Sequence, residues 1–131
     1  MKHLLLLISL SSFYCSVAQN YNVSFQVDMQ GQTISSAGIH IAGDFQSVAG
    51  YPSNWDPSTT SLSNSNNTIY EITLSLPAGF YEFKYINGNA WGSDESVPFA
   101  CASNNNRFIN VLSDTSLLVC YASCAPCPAL P

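Results

Sequence analysis

Several side chains in this sequence are of types that do chemistry, and their spacing decides what kind. Cys120-x3-Cys124-x2-Cys127 has the spacing of the iron–sulfur motif of radical enzymes, and Cys124-Ala-Pro-Cys127 has the pattern of a redox dithiol. The first works only inside a much larger barrel in a reducing compartment. The second needs its leading thiol at a helix N-terminus in a βαβ setting, and Pro126 and Pro128 preclude a helix there. Cys101, Cys120, Cys124 and Cys127 therefore read as two structural disulfides. Three connectivities are open. The favoured one joins Cys101 to Cys120 across the last two strands and Cys124 to Cys127 as a terminal clasp. A loop of about 20 residues closed in this way contributes on the order of 3 kcal/mol.

Other candidates for catalysis fall away. Hydrolysis by a carboxylate pair needs two acids about 5–10 Å apart in a cleft. Asp94 and Glu95 are chain neighbours in a loop, so their side chains should diverge. His40 lies between Ile39 and Ile41 and reads as a satisfied structural histidine, while Arg107 reads as the ion-pair partner of a carboxylate. No nucleophile elbow, zinc-type histidine pair or phosphate-binding glycine loop is present. The expectation is no catalytic residue, no metal and no cofactor.

The N-terminal segment bears on compartment. Lys2 and His3 precede the apolar run Leu4 to Leu10, and Ser16-Val17-Ala18 places small residues at −3 and −1. This is the pattern of a secretory signal peptide, residues 1–18, with cleavage expected before Gln19. The run is too short to span a membrane, which needs about 20 apolar residues. Cleavage removes Cys15 and Lys2, leaving 113 of the 131 residues with two cations, Lys84 and Arg107, against eight carboxylates, a formal net charge of −6. No basic surface for nucleic acid or an anionic membrane can be built from two cations. Asn, Ser and Thr supply most of the polar surface instead, which suits uncharged, hydroxyl-rich partners.

Residue alternation places these side chains on strands. Val23, Phe25, Val27 and Met29 alternate with polar residues; Ile39 and Ile41 flank His40 in a second strand ending at Gly43. A polar stretch from Asp44 to Asn67 follows and contains Trp55. Tyr70, Ile72, Leu74 and Leu76 mark another strand, and Pro77-Ala78-Gly79 turns the chain into Phe80 to Ile86. There Tyr81, Phe83 and Tyr85 share the core face, which puts Glu82 and Lys84 outside. Asn87-Gly88 signals a tight turn before Trp91. Gly92 to Asn105 reads as loop, Phe108 to Val111 as a late strand and Leu117 to Cys120 as the last. Six or so short strands without a helix predict an all-β, antiparallel, immunoglobulin-like sandwich over residues 19–121, with a Cys- and Pro-rich tail or linker stub at 122–131.

The block from Leu76 to Trp91, Leu-Pro-Ala-Gly-Phe-Tyr-Glu-Phe-Lys-Tyr-Ile-Asn-Gly-Asn-Ala-Trp, resembles the Leu-Pro-x-Gly…Lys…Trp block of two related modules. These are the starch-binding domain of glucoamylases and the glycogen-binding domain of AMP-activated kinase β subunits. Ala42-Gly43-Asp44-Phe45 with Asn54-Trp55, and Asn106 to Val111, are similar to their flanking elements in the same order. The resemblance runs from about Val23 to Val111, and the layout also looks like modules of secreted bacterial multidomain proteins. It departs in two places, a longer Gln46–Ser53 loop and a Gly92–Asn105 segment that contains Cys101.

The resemblance implies a carbohydrate-binding fold of the E-set type. It implies a sugar site built from Trp55, Trp91, Lys84 and Asn106, and an α-glucan as partner. The chemistry agrees. A pyranose stacks its apolar C–H face on an indole, and aromatic rings bury about 150–250 Å² when covered. Lys84 donates to hydroxyls, and Asn106 donates and accepts. Tilted indoles follow the curve of an α-1,4-glucan, whereas coplanar ones suit flat chains. Trp55 and Trp91 both lie in polar, turn-rich surroundings rather than in alternating strands. The expected role is thus non-catalytic binding of a neutral polysaccharide, outside the cell, with further domains in a longer parent chain. The alternative is a structural or protein-docking module of a secreted multidomain protein.

Overall fold

The computed structural model describes residues 17–130, so the export signal expected at 1–18 lies outside the described residues except for its last two positions. The described residues form a β-sandwich of seven strands: β1 Asn20–Asp28, β2 Ile39–Gly43, β3 Ser61–Asn66, β4 Ile69–Pro77, β5 Gly79–Asn87, β6 Arg107–Val111 and β7 Thr115–Cys120. Their hydrogen-bonded order is β6-β5-β2-β3-β4-β1-β7. β3 is the corner of this arrangement. Its first residues, Ser61 and Leu62, pair with β2, and its later ones, Ser63 to Asn66, pair with β4. One layer is therefore β6-β5-β2 and the other β4-β1-β7, with β3 passing between them.

β3 falls inside the polar stretch that the sequence reads as loop. Only Leu62 of Ser61-Leu-Ser-Asn-Ser-Asn66 is buried, so this corner strand has no apolar alternation to betray it. Pairing also departs from the antiparallel expectation at one edge: β7 runs parallel to β1, with Phe25 opposite Leu117 and Asp28 opposite Cys120.

Alternation fills the interior as expected. Val23, Phe25 and Val27 of β1 meet Phe83 and Tyr85 of β5, all fully buried. Phe25 stacks on Phe45 at 5.1 Å and meets Phe83 edge-on at 5.0 Å, arrangements that add about 0.5–1.5 kcal/mol each beyond simple burial. The Tyr85 hydroxyl crosses the sandwich and donates to the Gln26 carbonyl at 3.1 Å. Tyr81, near the start of β5, donates to the Pro77 carbonyl at 2.9 Å and pins the turn that carries the chain from one layer to the other. His40 is buried as expected, but its Nδ1 has no hydrogen-bond partner among the described residues, so it is not the satisfied histidine that its setting predicts.

The two edge strands, β6 and β7, are joined by side chains. Arg107 of β6 donates through Nε and Nη2 to the two oxygens of Glu95, both at 2.7 Å, and through Nη2 to the carbonyls of Cys120 at 3.0 Å and Ser123 at 3.2 Å. Glu95 also accepts the amides of Tyr85 and Ala122. The sequence reading of Arg107 as an ion-pair residue holds.

The disulfide pairing differs from the favoured one. Cys101 bonds Cys124 and Cys120 bonds Cys127, with Cα–Cα distances of 5.6 and 4.9 Å. Cys120 is committed to β7 beside Asp28 of β1, while Cys101 belongs to the segment leading into β6. The turn through Ala122 and Ser123, held by Glu95 and Arg107, brings Cys124 rather than Cys120 to that segment. Residues 122–127, read from sequence as tail, are thereby clasped to the sandwich.

Two outcomes follow from this packing. Peptide mapping of the oxidised protein should recover the Cys101–Cys124 and Cys120–Cys127 crosslinks and no Cys101–Cys120 peptide. Arg107→Met, which leaves the Glu95 carboxylate buried without its partner, should lower unfolding stability in urea by about 3–5 kcal/mol. A loss below about 1 kcal/mol, the range of an exposed pair, would contradict the role assigned to it.

Candidate functional site

The outer face of β5 follows from its inner one. With Phe83 and Tyr85 buried, Phe80, Glu82 and Lys84 project to the other side. Beyond the start of β6 that side is bordered by the segment Ser93–Glu95, which runs alongside β5. Asn87 donates to the Ser93 carbonyl at 2.9 Å, Glu95 donates to the Tyr85 carbonyl at 3.0 Å, and Asp94 bridges to Ile86. The same alternation then sends Asp94 outward and Glu95 into the core. This is why the two adjacent carboxylates do different things: Glu95 meets Arg107, and Asp94 meets Lys84 at 2.9 Å.

Asp94 also accepts the Gly92 amide at 3.1 Å, which fixes the turn that follows Trp91. Lys84 and Asp94 are mostly covered, with side chains 18 % and 22 % exposed. The pair commits one of the three ammonium protons and leaves two donors on Lys84.

Trp55 arrives from the β2–β3 connection. Its amide donates to the Gly43 carbonyl at 3.1 Å. Its own backbone sits at φ 58°, a left-handed conformation that costs a bulky residue of order 1–3 kcal/mol and persists only when its surroundings impose it. Gln46 imposes it here. This fully buried side chain accepts the Asp56 amide at 2.9 Å and donates to the Asp56 carbonyl at 2.8 Å and to Thr60 Oγ1 at 2.9 Å. Gly43 is required for the close approach beneath: a Cβ there would lie 2.5 Å from the Glu82 carbonyl oxygen and 2.8 Å from Phe83.

The two loops bring Trp55 and Trp91 together, with ring centroids 6.4 Å apart and planes inclined by 40°. Trp91 is 48 % exposed and Trp55 half-buried. Asn106 joins the cluster at one remove. Its Nδ2 donates to Glu82 at 3.3 Å, while its backbone pairs with Ser103 in both directions at 2.8 Å. Ser103 and Asn104 donate to the other Glu82 oxygen, and these hydrogen bonds hold the Glu82 carboxyl below its ordinary value of 4.5. Of the four site residues expected from sequence, then, two touch, Lys84 is tied to the loop of the second through Asp94, and Asn106 is tied to the neighbour of Lys84 on β5.

Sequence reasoning missed Gln46, Asp94 and Glu82 as the residues that position the others. A glutamine in a polar loop carries no signal. Asp94 had one, being two residues from a glycine and three from Trp91, and Glu82 shares the Lys84 face. The cluster offers a bent aromatic surface bordered by hydrogen-bond donors and acceptors.

Partial burial raises the Asp94 pKa, but the Lys84 hydrogen bond, the Gly92 amide and the Lys84 charge outweigh it, and the net value falls below the ordinary 3.8. A depressed carboxyl contributes stability that is complete above its unfolded pKa and lost as pH falls through the folded one. Carbon-detected NMR titration should place the Asp94 midpoint below that of a free aspartate, and Lys84→Met should raise it, because burial is then opposed by backbone hydrogen bonds alone. A midpoint indifferent to Lys84 would show that the pair does not form in solution.

The chain is 25 % identical over 84 residues to an amylopullulanase of Thermoanaerobacterium saccharolyticum, which covers 62 % of this chain and 6 % of the relative. It is 24 % identical over 119 residues to an amylopullulanase of Thermoanaerobacterium thermosulfurigenes, covering 81 % of this chain and 6 % of that one. It thus spans about one-sixteenth of the length of these curated relatives. Among solved structures, a glycoside hydrolase family 15 glucoamylase from Hypocrea jecorina matches with a TM-score of 0.57 and 22 % identity, over 83 % of this chain and 18 % of that one, a likeness of fold. Residues 38–124, from the entry to β2 through the half-cystine Cys124, match the pullulanase X25 domain, and the chain belongs to that family.

Proposed function

We propose that this domain binds a neutral polysaccharide, an α-1,4-glucan of the starch or glycogen type, and performs no chemistry on it. The observation that carries the reading is the inclined Trp55–Trp91 pair, with Trp91 next to a turn that the Lys84 partner Asp94 holds. A 40° angle between two indoles 6.4 Å apart suits successive sugars of a curving chain better than the flat ribbon that coplanar rings would match. Lys84 has two ammonium donors left for ring hydroxyls, and Asn106 and Glu82 stand further along the same face. Membership of the pullulanase X25 family and two relatives named amylopullulanase support an α-glucan as the ligand. Residues 1–18 act as an export signal in this reading. Residues 19–121 form the binding unit, and the disulfide clasp suits an oxidising exterior.

Affinity for short α-glucans should be modest, with Kd from about 10 µM to 1 mM, or roughly −4 to −7 kcal/mol. On native affinity gels containing glycogen, the wild-type domain should be retarded. Trp91→Ala should abolish retardation, and Lys84→Ala should weaken it. Migration that ignores glycogen and amylose alike, with tryptophan fluorescence unmoved by soluble oligosaccharides, would favour the spacer or protein-docking role instead.

A further inference from the structure

The face that carries Lys84 also carries a second aromatic pair. Phe80 is the second residue of β5, and Phe108 lies on β6 opposite Glu82. Their rings stack at 5.5 Å with planes 25° apart, and the side chains are 54 % and 47 % exposed. Isolated surface phenylalanines need no explanation, but here two are gathered on a strand face and left half in water. They are not needed for the core, which is closed beneath them by Tyr81, Phe83 and Ile109.

Position along β5 gives the pair a role. From Phe80 to Lys84 is four residues, about 13 Å of strand. Between them stands Glu82, crowned by Ser103, Asn104 and Asn106, and Asn110 stands opposite Phe80. Along β5 the face carries Lys84 with its partner Asp94, then Glu82 with Phe108 opposite it, then Phe80; the indoles lie beside this row, Trp55 hydrogen-bonded to Gly43, the β2 partner of Phe83, and Trp91 next to the turn held by Asp94. Aromatic surface alternates with hydrogen-bonding groups; Lys84, the cation of this face, is already paired with Asp94, and Glu82 is a carboxylate met by neutral donors alone. That composition matches a ligand with apolar faces and hydroxyl edges. It does not match an anionic one.

We infer that Phe80 and Phe108 form a second contact platform for the same glucan chain, so that the domain binds long oligosaccharides along β5 rather than a two- or three-sugar segment at the tryptophans alone. This rests on the reading proposed above and adds a length requirement to it.

The test is calorimetric titration of the wild-type domain with maltotriose and maltoheptaose. Wild type should bind the longer sugar at least about tenfold more tightly. Phe80→Ala/Phe108→Ala should bring the two affinities to within about threefold while leaving maltotriose binding unchanged, which also shows that the variant is folded. Phe80→Ser/Phe108→Thr, which keeps β-forming side chains on β6, should do the same and serves if the alanine variant fails to fold. If the phenylalanine variants keep the wild-type ratio while Trp91→Ala still abolishes binding, the second platform is overturned and the tryptophan site stands. If Trp91→Ala changes neither affinity, the glucan reading itself is overturned. A wild-type domain that dimerises on gel filtration only while Phe80 and Phe108 are present, with an unaltered length ratio, would assign the pair to a protein contact and overturn the inference.

Discussion

A sandwich built in the order β6-β5-β2-β3-β4-β1-β7 has two free edges, and here both are answered by one buried ion pair. Arg107 sits on the first edge strand and reaches the backbone at the end of the last, while Glu95 holds β5 and the turn after β7. Two charges taken out of water are costly unless every remaining donor and acceptor is engaged. In this pair Nε and Nη2 of the guanidinium and both oxygens of the carboxylate have protein partners. The Tyr85 ring lies 5.9 Å from the guanidinium carbon, and its phenol, raised by burial and by the Glu95 charge, stays protonated to donate across the core. The two disulfides then fasten the same corner from outside.

The surface site depends on that corner through two adjacent residues. Because Glu95 is drawn inward, Asp94 must face outward, and because Asp94 faces outward it meets Lys84 and ties down the turn carrying Trp91. Trp55 reaches the same place from a different direction, forced into a left-handed backbone by buried Gln46. An interior ion pair and an interior amide thus fix the two loops from below, which in the proposed role leaves the indoles little freedom to lose on binding. Such preorganisation lowers the cost of binding without any added contact.

How much of this the sequence discloses varies by element. β1, β4 and β5 are plain in the alternation of Val23 to Val27, Tyr70 to Leu76 and Tyr81 to Tyr85, since one face of each is buried and the other is not. β3 is hidden, because a corner strand that changes layers buries only Leu62. The Lys84 and Trp91 positions are visible through the Leu76–Trp91 block. The contacts that orient them are not, since Gln46, Asp94 and Glu82 act through partners distant in the chain. Disulfide connectivity fails for the same reason: counting cysteines yields two bonds, but which partner Cys101 meets is decided by a turn at Ser123 that answers to Arg107.

The central claim is that the two indoles jointly form the ligand surface, and the chain holds only these two tryptophans. Indole N–H resonances of 15N-labelled protein, followed during addition of maltoheptaose, therefore give two signals, one for each ring. Both should shift together and saturate at one affinity, accompanied by the Lys84 ammonium. Saturable shifts elsewhere on the surface with both indole signals stationary, or movement of only one of them, would contradict the account.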